Sequence, residues 1–74
     1  MSEAAARLLN EAIGKVVLIK LRGERSIRGR LRSFDIHLNI VLDDAEEVRD
    51  DGSSRKLGTV IVRGENVVLI SPGD

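Results

Sequence analysis

The sequence predicts an all-β protein: a small, strongly bent antiparallel barrel of five strands behind a short N-terminal helix. Three observations support this prediction. Helical periodicity is confined to the first 13 residues, alternation of apolar and polar residues occupies segments between residues 15 and 72, and a glycine stands at a core-facing position of the second segment. The 74 residues have the length of one small domain, spanning 1–74.

The N-terminal segment is predicted to form a helix over about residues 3–13. Its apolar residues recur at i, i+3, i+4, i+7 and i+8, which places them on one helical face; they are Ala5, Leu8, Leu9, Ala12 and Ile13. Ser2 is a favourable N-cap, and Gly14 can end the helix because glycine readily adopts a left-handed backbone.

The next two segments, KVVLIKLR and SIRGRLRSF, alternate with the period of a strand. The inward positions are Val17, Ile19 and Leu21, then Ile27, Gly29 and Leu31, while Arg28, Arg30 and Arg32 face outward. Between the segments, RGER turns the chain at Gly23. Gly29 replaces a core side chain, and glycine within a strand commonly marks a sharp bend. Such a bend lets a small sheet fold over on itself into a barrel.

Three further strands complete the predicted barrel. LNIVLDDAEEV places Leu38, Ile40 and Leu42 inward, a turn follows around Gly52, and KLGTVIVR and NVVLIS come last, separated by Gly64 and Glu65. The last two segments are apolar on both faces, so the hairpin that we expect them to form needs cover on both faces. Either they are the buried core of a monomer, or their edges pair head-to-tail with further copies and close a ring.

The charges are segregated although the formal net charge is zero. The charged residues between positions 15 and 32 are basic except for Glu24, and those between positions 35 and 51 are acidic except for Arg49. This pattern indicates either a molecule with one basic surface or neighbouring antiparallel strands whose opposite charges pair. We favour cross-strand pairing, because the two blocks are consecutive and short enough to be hairpin partners.

The composition argues against several functions. The chain has no cysteine and a single histidine, and no glycine-rich loop lies between a strand and a helix, so we expect no catalysis, no metal and no cofactor. No apolar run approaches the roughly 20 residues of a membrane span, and the N-terminus lacks the pattern of a signal peptide. We therefore expect a cytoplasmic protein without membrane association.

Two stretches resemble the two halves of the Sm motif: FDIHLNIVLDDAEE, and LGTVIVRGENVVLISP. Together with the helix, they make nearly the whole chain similar to the archaeal Sm-like (LSm) family. The matching positions are the strand glycines Gly29 and Gly58, the D-x-H-x-N residues Asp35, His37 and Asn39, and the R-G-x-N residues Arg63, Gly64 and Asn66. Two positions depart from the family pattern: Leu38 replaces a frequent methionine, and Glu65 replaces a frequent aspartate.

The resemblance implies an Sm fold, which is an SH3-like barrel, and a ring, usually of seven subunits, that binds uridine-rich single-stranded RNA around its pore. It implies a base between the His37 ring and the planar guanidinium of Arg63, which take the place of aromatic stacking platforms in a chain with one aromatic residue. The Asn39 amide would read the uracil edge. Asp35 would orient the turn, Gly64 would let the backbone approach the base, and Glu65 would alter a base contact.

Each of these residues also has an ordinary structural interpretation. A lone histidine near a turn is commonly a surface residue, an asparagine before a strand commonly caps a turn, and an arginine before a glycine is commonly solvated. The joint occurrence of both motifs on a matching framework favours RNA binding in processing or metabolism. The alternative is a ring-shaped scaffold for protein partners with weak or no RNA binding.

Overall fold

The computed structural model describes residues 1–73 and contains one helix and five strands. The elements are α1 (Glu3–Ala12), β1 (Val16–Leu21), β2 (Arg25–Phe34), β3 (Ile40–Val48), β4 (Ser54–Val62), a 3-10 turn (Gly64–Asn66) and β5 (Val67–Ser71). The strands pair antiparallel throughout. The predicted fold class, a helix followed by a strongly bent five-stranded sheet, is confirmed.

Helix α1 begins and ends for the reasons that the sequence suggests. The Ser2 hydroxyl accepts a hydrogen bond from the Ala5 amide at 3.1 Å, and Gly14 adopts a φ of 85° just beyond the helix. Leu9 and Ala12 are buried, whereas Leu8 and Ile13 remain exposed. The predicted apolar face is therefore covered only in part within one protomer.

The sheet is open, because its strand order is β4-β3-β2-β1-β5. The expectation that the last two strands form a hairpin is wrong: β4 and β5 lie at opposite edges, joined by the 3-10 turn. β4 pairs with β3, and β5 pairs with β1. Val62 of β4 is buried, and Val67 and Ile70 of β5 pack against the same core.

Both edge strands expose large apolar side chains. Ile61 on β4 is 73% exposed, and Val68 on β5 is 63% exposed. Edge strands also carry unpaired backbone donors and acceptors, and natural proteins usually protect such edges with charge, proline or a bulge. These two edges consequently have the composition of surfaces that are covered by another chain.

The pairing of β2 with β3 is irregular near the predicted bend. The pairing register shifts between Arg28 and Arg30 on β2 and on both sides of Ala45 on β3. A Cβ at Gly29 would lie 3.1 Å from the Ala45 Cα and 3.1 Å from the Leu42 Cβ, closer than side chains normally approach. Gly29 therefore lies at a close approach to β3 that leaves little room for a side chain, as the sequence predicted.

The core lies inside the bent sheet and beneath α1. It contains Leu9, Ala12, Val17, Ile19, Leu31, Ile40, Leu42, Ala45 and Val62. Leu38, predicted at the start of the third strand, instead lies in the loop before β3 with a φ of 60°, half-buried against this core. Phe34 is likewise half-buried and packs against it.

The two charged blocks pair across β2 and β3, which confirms cross-strand pairing over a single basic surface. Four ion pairs follow the strands: Arg25–Glu47, Arg28–Glu46, Arg30–Asp44 and Arg32–Asp43. We call this set the ion-pair ladder. Hydrogen bonds from the Arg32 guanidinium and then from the Thr59 hydroxyl hold the pKa of Asp43 below its usual value.

Substituting Gly29 by valine tests the close approach at the bend. Because overpacking a tight site typically costs about 1–3 kcal/mol, we expect Gly29→Val to lower the free energy of unfolding by that amount or to prevent folding. Urea unfolding followed by circular dichroism measures the effect. Ser33→Val, at an exposed position of the same strand, is the control and should change stability little. Equal stability of Gly29→Val and the parent would contradict this account of the bend.

Candidate nucleic-acid interface

The loop between β2 and β3 is organised around the carboxylate of Asp35. One carboxylate oxygen accepts hydrogen bonds from the backbone amides of His37 and Asn39, at 2.9 and 3.0 Å. The other oxygen accepts from the Asn39 side-chain amide at 2.9 Å. The Leu38 amide donates to the Asp35 carbonyl at 3.0 Å, which stabilises the left-handed backbone of Leu38.

These bonds lower the pKa of Asp35 below its ordinary value of 3.8. The side-chain hydrogen bond from Asn39 is the largest cause, followed by that from the Asn39 backbone amide. Each donor favours the charged carboxylate over the neutral acid, so protonation of Asp35 weakens the loop.

The 3-10 turn after β4 is joined directly to this loop. The Gly64 amide donates to the side-chain oxygen of Asn39 at 2.8 Å, a contact between residues 25 positions apart. A Cβ at Gly64 would lie only 1.8 Å from the His37 carbonyl oxygen, so no other residue fits without moving the backbone. The expected role of Gly64 in approaching a base stays a prediction; the visible reason for glycine is the contact between the two loops.

The side-chain amide of Asn39 is held in one orientation. Its nitrogen donates to the Asp35 carboxylate and its oxygen accepts from the Gly64 amide, and the reversed orientation would place donor against donor. An amide has two N–H donors and two acceptor lone pairs, so one of each remains after these bonds. Asn39 thus offers an adjacent donor and acceptor in a fixed order.

Two flat cationic or polar groups lie on the joined loops. His37 is exposed, and the side chain of Arg63 is 74% exposed. The Arg63 Nε lies 3.2 Å from a carboxylate oxygen of Glu65, which is itself exposed. The structure thus places the six residues predicted for the site, Asp35, His37, Asn39, Arg63, Gly64 and Glu65, on two adjoining loops.

One residue that contacts these loops could not be assigned to the site from the sequence. Arg22, just after β1, donates from its Nε to the Glu65 carbonyl at 2.7 Å across 43 residues. In the sequence, Arg22 is one of several basic residues between positions 15 and 32. Its contact depends on strand order, which a local pattern does not reveal.

The described part of the chain brings no group of three His, Cys, Asp or Glu side chains together as metal ligands. Within residues 1–73, no helix is both long and apolar enough to cross a membrane.

Two features together define the Sm class of small β-barrels. One is a bent, open sheet of five strands with an N-terminal helix, and the other is a D-x-H-x-N loop hydrogen-bonded to an R-G-x-N turn. The LSM domain matches residues 7–72. The chain belongs to the LSM domain family.

Comparison with known proteins places it among archaeal relatives. A protein of Methanococcoides burtonii named as snRNP Sm-like is 48% identical over 65 residues, which are 88% of this chain and 90% of the relative. The crystal structure of the SmAP1 heptamer of P. aerophilum superposes with a TM-score of 0.92 at 51% identity, covering 100% of this chain and 99% of that one. The Sm protein of Pyrococcus abyssi, solved in complex with a uridine heptamer, has a TM-score of 0.86 at 40% identity, covering 92% and 96% of the two chains.

Acid titration tests the central role of Asp35. Because its pKa is lowered in the folded state, the carboxylate stabilises the fold above the ordinary value of 3.8, and this contribution is lost as pH falls through the lower folded value. We expect Asp35→Asn to be less stable than the parent at neutral pH, with the difference shrinking below pH 3.8. Thermal unfolding measured from neutral to strongly acidic pH checks this.

Asp50→Asn is the matched control, since Asp50 is an exposed aspartate in the turn between β3 and β4. A stability difference between Asp35→Asn and the parent that stays constant across the acidic range would contradict the proposed charge dependence.

Proposed function

We propose that this protein forms a homo-heptameric ring that binds uridine-rich single-stranded RNA through His37, Asn39 and Arg63, without catalysis, in RNA processing or metabolism. The observation that carries the proposal is the locked Asn39 amide, which presents one free donor and one free acceptor beside two exposed flat side chains.

The fixed order of donor and acceptor explains a preference for uracil. Uracil presents an N3–H donor beside a carbonyl acceptor, whereas cytosine presents an N3 acceptor beside an amino donor. A freely rotating amide could turn to match either base. Because Asp35 and the Gly64 amide prevent the Asn39 amide from turning, it matches uracil and opposes cytosine.

Stacking on the side chains of His37 and Arg63 would add binding energy to the hydrogen bonds between Asn39 and the base edge. Bases splayed from single-stranded RNA stack on aromatic rings and on guanidinium planes, with about 1–3 kcal/mol per base. His37 and Arg63 are both exposed on the joined loops, and each would stack on one face of a base. Arg63 adds cation–π attraction to the stacking.

Repetition around a ring compensates for the weakness of a single-base site. Each subunit would hold one base, and sites on one rim would bind one strand together with an avidity far above that of one site. The heptamer of P. aerophilum and the uridine heptamer bound by the Pyrococcus abyssi protein support both parts of this proposal. The exposed apolar edges β4 and β5 support the ring independently.

The ion-pair ladder argues against a second, purely electrostatic mode of binding along β2. Its four arginines are already neutralised by carboxylates. The zero net charge of the chain likewise gives little general attraction for phosphates.

Two substitutions separate stacking from edge recognition. We expect Arg63→Ala to weaken binding of oligo-uridine by about tenfold or more, because it removes one stacking plane and its charge. Asn39→Ala should instead erode the preference for oligo-uridine over oligo-cytidine. Fluorescence anisotropy with short labelled oligonucleotides at two salt concentrations measures both effects, since phosphate contacts weaken with salt far more than stacking does.

Two controls accompany this experiment. Arg63→Lys keeps the charge and loses the plane, so it should behave like Arg63→Ala. Arg30→Ala, on the ion-pair ladder, should leave the ratio of oligo-uridine to oligo-adenosine affinity unchanged and cost about 0–1 kcal/mol of stability. A parent protein without uridine preference would favour the scaffold function, and unchanged affinity in Arg63→Ala would exclude Arg63 from the site.

The ring itself is tested by native mass spectrometry at micromolar concentration, where we expect seven copies. Ile61→Asp should dissociate the ring, because it places charge on an apolar edge where two sheets would join. Ile36→Asp is the matched control: Ile36 is 72% exposed, against 73% for Ile61, but lies on a loop and not on an edge strand. A stable monomeric parent would refute the ring.

A further inference from the structure

The 3-10 turn that follows Arg63 is held by two hydrogen bonds from a single residue. Arg22 donates from its Nε to the Glu65 carbonyl at 2.7 Å and from its backbone amide to the Asn66 carbonyl at 2.9 Å. Consecutive carbonyls of the turn are thus bound by Arg22, which extends the β1–β5 pairing beyond the end of both strands.

The opposite end of the turn is held from the other side of the site. Its first residue, Gly64, donates to Asn39 at 2.8 Å. Within the turn, the Asn66 amide donates to the Arg63 carbonyl at 3.0 Å. A single 3-10 turn has few bonds of its own, so its orientation depends on these outside contacts.

The side chain of Glu65 transmits this constraint to Arg63. Its carbonyl is held by Arg22, while its carboxylate lies 3.2 Å from the Arg63 Nε. Both side chains of this pair are largely exposed, and an exposed pair is weak when its backbone is free to move. A fixed backbone lowers the entropy that the pair must lose, so the pair favours one placement of the guanidinium plane.

We propose that Arg22 is a positioning residue of the RNA site, which acts through the Glu65 carbonyl to orient Arg63 for stacking on a base. This inference rests on the proposed function. It requires arginine at position 22 specifically, because lysine carries a methylene where arginine carries the Nε donor. A general electrostatic role would instead be satisfied by either residue.

The comparison of Arg22→Lys with Arg22→Met separates these two roles. We expect both variants to bind oligo-uridine about fivefold or more weakly than the parent, since both lack the Nε hydrogen bond. Lys20→Met is the control for loss of a positive charge, because Lys20 is exposed two residues earlier, and its affinity should change by less than about twofold. Native mass spectrometry and thermal unfolding of each variant confirm that the oligomer and the fold are intact.

A double-mutant cycle tests whether Arg22 acts through Arg63. In an Arg63→Ala background, Arg22→Lys should cause no further loss of affinity, because the group that it positions is absent. Parental affinity in Arg22→Lys would overturn the inference, and so would an equal loss from Arg22→Lys with and without Arg63.

A direct structural measurement keeps the inference testable if the parent does not bind oligo-uridine, a result that would refute the proposed function alone. Nuclear magnetic resonance should then show a changed Arg63 Nε shift and faster exchange of the Asn66 amide in Arg22→Lys but not in Lys20→Met. Unchanged signals at both groups would overturn the positioning role.

Discussion

The carboxylate of Asp35 determines where the two loops of the site lie. It accepts hydrogen bonds from two backbone amides and from the side-chain amide of Asn39. The same Asn39 side chain accepts a hydrogen bond from Gly64, which lies in a turn 25 residues later. Without this carboxylate the Asn39 amide would be held by the Gly64 amide alone, and the order of its free donor and acceptor would be less firmly fixed. Base selectivity in the proposed function therefore depends on the hydrogen bonds that join the two loops as much as on the groups that would touch the base.

The shape of the sheet depends on a single glycine. Gly29 allows the close approach that bends it, and the bend encloses a core large enough for one small domain. The linear strand order leaves β4 and β5 as the two edges, with exposed Ile61 and Val68. The bend thus forms the interior of the protomer, and the strand order provides the surfaces through which we propose that protomers join.

Local sequence patterns correctly predicted the structural features that depend on residues close together in the chain. The Ser2 cap, the alternating faces of β1 and β2, and the glycine at the bend all follow from spacing within a few residues. The prediction that the last two strands form a hairpin was wrong, because a short connection does not guarantee pairing and strand order depends on the whole sheet. The contact of Arg22 with Glu65 escaped prediction for the same reason. A turn-capping role for Asn39 was foreseen, but its bond to Gly64, 25 residues away, was not, because that contact depends on how the two loops meet.

The ion-pair ladder has a consequence for how the chain finds its fold. Along β2 its arginines stand at intervals of three, two and two residues, whereas along β3 their partners stand at intervals of one, two and one. Two strands with evenly spaced charges could slip by two residues and pair equally well, but this irregular series matches in only one alignment. The ladder therefore favours one strand alignment, because a slipped hairpin would leave like charges or unpaired charges facing each other.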